Sequence, residues 1–425
     1  MKKTFMFGEE FLHYLWKFRL LNLELKSVSG EEVVVLHPGE HNTNGGPDFL
    51  NARVRIGGTV WAGNVEIHHL SSDWFRHKHH QDKAYENVIL HVVYRFEPEM
   101  DPLNIPTLVL EGQFPSGIRL RYEGLMQNQQ WIPCSNSLDG SLQPDLALWY
   151  PSLVIERLAR KCSEIKVLWE SCRCDWEETL YCFLALNFGF RLNSVPFELM
   201  ARSLPLKLLQ RHATNITTLE SLFFGQAGML SETYSDTYPV MLREEYGYLK
   251  LKFRLTPALQ TSWRFLRLRP SNFPTIRISQ FASFFYSTEG RFFQLLYSCG
   301  KEEIQKQFEL TASGYWDDHF MFDRSSPKRK KILGEDSRLL LMINGIVPFL
   351  FFIGLEKQMI SYRDKAIEIL ESLPGEQNFE ITRWREAGFD AGDALKTQAL
   401  IQLKRVYCDR KRCLECRLGI RILSR

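Results

Sequence analysis

Cysteine is scarce in this chain, nine in 425 residues, too few and too scattered for a disulfide framework. The expectation is a reducing, cytoplasmic setting. A dominant charge is also missing. The 53 basic and 50 acidic side chains leave a net +3, which excludes a general attraction to nucleic acid and restricts any such binding to local patches. A secretory leader pattern is lacking too, because Met1 to Leu25 carries charges throughout an amphipathic stretch. The most apolar run, Leu339–Leu355, is 17 residues long and holds Asn344, Gly345 and Pro348. It is short for a membrane span of about 20 residues, so we read a buried core helix and expect no membrane partner. No repeat of fixed period is visible. What is present, 44% hydrophobic and 13% aromatic residues, describes a well-packed globular chain long enough for two or three domains.

The first third mixes elements. Apolar side chains at Phe11, Leu12, Leu15, Phe18 and Leu21 follow helical spacing over residues 9–25, and Glu31–Leu36 reads as a strand. His37–Pro47 is a Gly/Asn/Pro loop. Asn51–Ile56 and Thr59–His68 form a hairpin around Gly57-Gly58, a helix is expected within Ser71–Asn87, and Val88–Phe96 is a further strand. From Leu146 onward helical segments dominate: Leu146–Glu170, Trp176–Phe188, Pro196–Gln210, Ile216–Leu222, Thr275–Phe285, Glu335–Gly354 and Asp364–Leu373. The fold class is therefore α+β, with a mixed α/β domain over 1–115, a linker over 116–145, a helical domain over 146–405 and a Cys-rich basic tail over 406–425.

Chemistry concentrates in Gly46-Pro47-Asp48-Phe49 and Val65-Glu66-Ile67-His68. Asp48 and Glu66 stand at the open end of the hairpin, and Glu66 and His68, two apart on a strand, share a face. Two carboxylates suit a hard cation such as Mg²⁺ or Mn²⁺. That cation could polarise a phosphoryl oxygen, with His68 handling the attacking water. This order of elements resembles the PD-(D/E)XK nuclease superfamily, over about a quarter of the chain. The resemblance implies metal binding by Asp48 and Glu66, places His68 where the superfamily has Lys, and matches Glu10 to an acidic residue some members carry on the first helix. The segments EEFLHYLWKFRLL, NGGPDFLNARV, GNVEIHHLSSDW, YENVILHVVY, RPSNFPTIR and YCDRKRCLECRLG further resemble a bacterial domain family of unknown function along the whole chain, a likeness that implies architecture rather than activity. Without any chemistry, Asp48 would cap a turn and Glu66 would pair with Arg53 or Arg55.

Two other groups attract notice. His69, His77, His79, His80 and His91 crowd one segment. His77 and His80, three apart, could face one way on a helix and join a zinc site or grip a phosphate, whereas His91 has the apolar neighbours of a buried strand residue. Cys408, Cys413 and Cys416 make C-x₄-C-x₂-C, a spacing suited to Zn²⁺ or an iron–sulfur cluster, with Cys134 as candidate fourth ligand. Cys162, Cys172, Cys174 and Cys182 read as core. Basic patches lie at Lys328–Lys331 and at Arg405, Arg410, Lys411, Arg412, Arg417, Arg421 and Arg425. The leading functional reading is metal-dependent hydrolysis of nucleic acid, DNA or RNA. The alternatives are a catalytically inactive nucleic-acid-binding protein on the same fold, or a scaffold whose helical domain binds a protein partner.

Register raises an objection. A strict two-residue turn at Gly57-Gly58 places Asp48 opposite Ile67, which puts the two carboxylates on opposite faces. A shared site needs a one-residue shift, by a three-residue loop, a bulge at Gly63 or a bend after Pro47.

Overall fold

The computed structural model describes residues 7–98, 103–257 and 263–425. Contacts divide the chain into two units, one of residues 1–149 with 403–425, the other of residues 150–402. These differ from the expected boundaries in two places. The segment 116–145 is no linker: it carries a helix, α3 (Ser116–Gln127), whose Ile118, Tyr122 and Leu125 are buried. The tail rejoins the first unit, where Arg121 donates to the Leu423 carbonyl at 3.0 Å.

The first unit is built on a sheet. Its strands are β1 (Leu25–Lys26), β2 (Glu32–His37), β3 (Glu40–His41), β4 (Phe49–Ile56), β5 (Thr59–Leu70), β6 (Val88–Arg95) and β7 (Thr107–Val109), and the order is β1-β2-β4-β5-β6-β7 with β3 beside β4. Pairing is antiparallel from β1 to β5 and parallel from β5 to β7. β4 alternates as a one-face-buried strand should, with Ala52, Val54 and Ile56 inside and Arg53 and Arg55 outside. β6 is buried almost throughout, as a strand with parallel neighbours on both sides must be. Helix α1 (Glu9–Lys17) packs on β5 and buries Phe11, Leu12, Leu15 and Trp16 completely. Each such side chain contributes about 1.5–3 kcal/mol. It ends eight residues before the sequence pattern does, since Arg19 adopts φ +51 and turns the chain away. The segment after β5 holds one helical turn, α2 (Asp73–Arg76), and two 3₁₀ turns rather than a full helix.

The second unit is helical. Trp176–Phe188 forms as expected, Pro205 splits the expected 196–210 helix into Ser194–Arg202 and Leu206–His212, and helices at Thr237–Phe253, Phe379–Glu386 and Ala394–Gln402 lack strong sequence periodicity. Phe188, Phe197, Phe223, Phe281 and Phe284 are fully buried together. The apolar run lies in a continuous helix, Glu335–Glu356, with a π-helical turn at Met342–Ile346. By length and composition it could cross a membrane, but 72% of its apolar window is packed inside the protein. The basic stretch 323–331 is part of a hairpin and loop: Lys331 is buried, donates to the carbonyls of Asp317 and Arg329, and lies 4.1 Å from the Phe320 ring.

Candidate functional site

The hairpin turn is indeed two residues, pairing Ile56 with Thr59, yet Phe49 pairs with Val65 and Ala52 with Gly63. Between those pairs Leu50 and Asn51 on β4 face the single residue Asn64 on β5, a bulge centred on Asn51 at φ +57. Asparagine tolerates this left-handed conformation better than most residues. The extra residue moves Asp48 opposite Glu66, so both acids address one face. The required shift exists, by a route the sequence did not suggest. Gly63 serves a different purpose: a Cβ there would lie 2.4 Å from Ile89 Cγ2 and 2.7 Å from the Asn87 carbonyl, so β5 and β6 approach closely because it is glycine.

The two acids are interlocked. The Asp48 N–H donates to Glu66 Oε2 at 3.1 Å, and the Ile67 N–H donates to Asp48 Oδ2 at 2.9 Å. His13 of α1 brings Nε2 to 3.3 Å from Asp48 Oδ2. Glu66 Oε1 lies 3.3 Å from His68 Nε2 and 3.2 Å from His79 Nε2. Arg53 and Arg55 face the other way, so the purely structural pairing with Glu66 does not form.

Imidazoles complete the cleft. His68, His77 and His79 offer nitrogens that all lie within 4.8 Å of one another, and His68 Nε2 is 3.2 Å from His77 Nδ1. His91, fully buried on β6, pairs with His68 Nδ1 at 2.9 Å and fixes its ring. The helical spacing of His77 and His80 misleads: Lys78 turns the chain at φ +62, which brings His79 inward and leaves His80 exposed beside Gln81. His79 stacks on Tyr85 with ring centres 3.8 Å apart. Its Nε2 is buried and makes no hydrogen bond.

Glu10 does not face this cleft. Its carboxylate accepts from the Tyr122 hydroxyl at 3.3 Å. The neighbouring Glu9 is the acid of α1 that senses Asp48: its carboxyl is pushed up by burial and then by the Asp48 charge. Adjacent residues on a helix point about 100° apart, and the sequence offered nothing to choose between them.

Burial governs the protonation states. It pushes Glu66 up to about 9, with Asp48 and Glu9 adding repulsion. It pushes His68 down to about 2, followed by His91, His79 and His77, and His91 down to about 3. His79 is lowered by burial and by His77. The 3.3 Å contact between His68 and Glu66 is therefore not an ion pair in the metal-free protein, because burial drives both partners to their neutral forms. A cation would reverse the balance, holding Glu66 ionised and keeping the imidazoles neutral. The donor set fits one: three imidazoles beside a carboxylate, with a buried imidazole nitrogen left without a hydrogen bond. Imidazole favours zinc or a comparable transition ion, while the flanking carboxylates also suit Mn²⁺.

The tail charges are largely engaged locally. Arg412 pairs with Glu415, Arg425 with Asp139, Arg421 with Asp145, and Lys404 with Asp409.

A family model described as a protein of unknown function, DUF2851, matches residues 9–379. The match spans both units and takes in the whole carboxylate–histidine cleft. It does not bring in the PD-(D/E)XK superfamily. Searches of curated proteins and of solved structures returned no significant match.

Proposed function

For this chain, which belongs to the DUF2851 family, we propose metal-dependent phosphodiester hydrolysis of nucleic acid at the Asp48–Glu66 cleft. The observation that carries the reading is the Asn51 bulge, which sets Asp48 opposite Glu66, with Glu66 against His68 and His79 and Asp48 against His13. Asp48, Glu66, His77 and His79 would hold the ion, which when bound would polarise a phosphoryl oxygen and acidify a water. His68 takes a role other than the water handling expected of it. With Nδ1 on His91 and Nε2 against His77 and Glu66, it is a ligand or a ligand-positioning ring rather than a free base. Arg76, Lys78, His80 and Lys83 are exposed along the segment that supplies His77 and His79. They provide a short basic rim for a phosphate chain, which the small whole-molecule charge of +3 does not.

The test is cleavage of single-stranded, duplex and branched DNA and of RNA by the purified full chain with Mg²⁺, Mn²⁺ or Zn²⁺. Metal-dependent cleavage lost in both Asp48→Asn and Glu66→Gln supports the proposal, and cleavage surviving both overturns it. Salt-dependent binding without cleavage would favour the inactive binding protein, a reading encouraged by His68 standing where Lys is expected.

A further inference from the structure

Four cysteines lie far from this cleft in sequence and are used by nothing described so far. Cys408 closes a π-helical turn at Leu403–Cys408, Cys413 sits in the turn that follows, and Cys416 precedes the last helix, Arg417–Leu423. Cys134 comes from the loop after α3. All four are buried, at 7–9% exposure, and none is in a disulfide. They are also mutually close. Cys134 is within electrostatic range of Cys413 and Cys416, Cys408 of all three others, and Cys413 of Cys416, so every pairing among the four is represented.

The backbone around them is shaped to bring sulfurs together. Burial pushes the Cys416 thiol up to about 11, and the N–H groups of Gly419 and Leu418, which its sulfur accepts, offset part of that rise and orient the sulfur. A Cβ on Gly419 would lie 2.1 Å from the Cys413 carbonyl, so no larger residue allows this approach. Lys411 turns at φ +51 between the first two cysteines. On the other side, Asn128 pins the Cys134 loop by donating to the Pro133 carbonyl at 2.8 Å, and Lys411 donates to the Met126 carbonyl. Lys404 lies over the Trp131 ring at 5.5 Å.

Four buried, unoxidised thiols from two separated segments converge here, whereas the other buried thiols, Cys162 and Cys182, lie on helices of the second unit. Four apolar side chains would fill the same volume without the thiol chemistry. We propose that Cys134, Cys408, Cys413 and Cys416 form a four-thiolate metal centre that fastens the C-terminal segment onto the loop after α3. Thiolates are soft ligands, which restricts the occupant to zinc or an iron–sulfur cluster.

The experiment uses the full chain purified without oxygen, analysed for iron, acid-labile sulfide and zinc and examined by visible absorption. The same measurements are made on Cys413→Ser, on Cys134→Ser, and on His77→Ala/His79→Ala as a control for the other site. Metal retained by the histidine variant and lost from both cysteine variants supports the centre. Iron with matching sulfide identifies a cluster, and about one zinc per chain a single ion. Wild-type protein without metal whose four thiols react freely with a thiol reagent overturns it, and so does metal that survives both serine substitutions. Limited proteolysis adds a second measurement: removal of the metal should speed cleavage within 403–425 by at least about tenfold, and unchanged protection would overturn the fastening role.

Discussion

Glu66 of the sheet unit and Glu220 of the helical unit are both buried, for different reasons. Glu220, in the helical unit, is 1% exposed and its carboxylate is saturated by hydroxyls: Ser279 donates at 2.5 Å and Tyr238 at 2.6 Å. Its carboxyl is raised by burial, but every hydrogen bond around it works to lower it again. Glu66, in the sheet unit, is 5% exposed and receives one N–H, from Asp48, while its remaining neighbours are a carboxylate and imidazoles. Burial alone is therefore not the mark of a site. A buried acid ringed by hydroxyl donors is a completed structural network, whereas one beside another acid and several neutral imidazoles leaves ligand atoms that a cation could use, which is what the proposed metal site rests on.

The largest expected effect separates the two glutamates by activity. Glu66→Gln should lower metal-dependent cleavage by about 10²–10³-fold or more, with little change in the denaturation midpoint of the metal-free protein below pH 4.5, where folded and unfolded chains both carry the neutral acid that glutamine imitates, and a raised midpoint at neutral pH. Glu220→Gln should leave cleavage per folded molecule unchanged while costing about 1–3 kcal/mol of stability, since an amide cannot accept from both Ser279 and Tyr238 without leaving a buried group unpaired. Parallel kinetics and urea unfolding check this, and an inactive but fully stable Glu220→Gln would break the contrast.

A smaller effect appears in the pH dependence of the chelated protein. Glu66 is raised from 4.5 to about 9 on folding, so its contribution to stability is fully present below pH 4.5 and is lost as pH rises toward 9. His68 and His91 are lowered from 6.5 to about 2 and about 3. Their contribution is fully present above pH 6.5 and is lost progressively as pH falls from there toward about 3 and about 2. The two effects oppose each other and set a stability maximum between about pH 5 and 7. Glu66→Gln should remove the alkaline decline and leave the acid one. Saturating divalent metal should reverse the alkaline decline in the wild type, because metal binding favours the ionised carboxylate. Thermal melts across pH 4–9, with and without metal, would show it, and identical profiles for wild type and variant would sink the assignment of Glu66.

Legibility from sequence follows physical range. The α+β class, the central strands and Trp176–Phe188 are local in origin, set by periodicity and turn residues, and all could be read. Asp48, Glu66 and His68 could be named because two short motifs flanked a visible hairpin. What could not be read depends on backbone angles at single residues. Lys78 decides between His79 and His80, and Arg19 ends α1 early. The choice between Glu9 and Glu10 depends on how α1 rotates against β5, and the return of 403–425 to the first unit depends on contacts made across the whole intervening chain. His91 was read as a buried strand residue, which it is, but its bond to His68 joins residues on two strands whose parallel register is itself irregular at Asn64–Val65.

The smallest expected effect concerns Asn51, the residue on which the alignment of the cleft depends. It sits at φ +57 with its N–H donating to Asn64 Oδ1 at 3.3 Å, and its side chain is exposed, so a substitution there changes backbone preference with little loss of packing. Glycine adopts this conformation freely, and Asn51→Gly should keep both the bulge and the metal affinity, with a stability change within about 0.5 kcal/mol. Valine is branched at Cβ and resists the left-handed region, so Asn51→Val should cost about 1–2 kcal/mol. If the strain is relieved by straightening β4, the register reverts to the strict one, Asp48 turns to the opposite face, and metal affinity falls although no ligand has been altered. Denaturant midpoints and metal titrations of the two variants separate these contributions. Equal metal affinity in Asn51→Val and wild type would show that the bulge is not what brings Asp48 and Glu66 to a common ion.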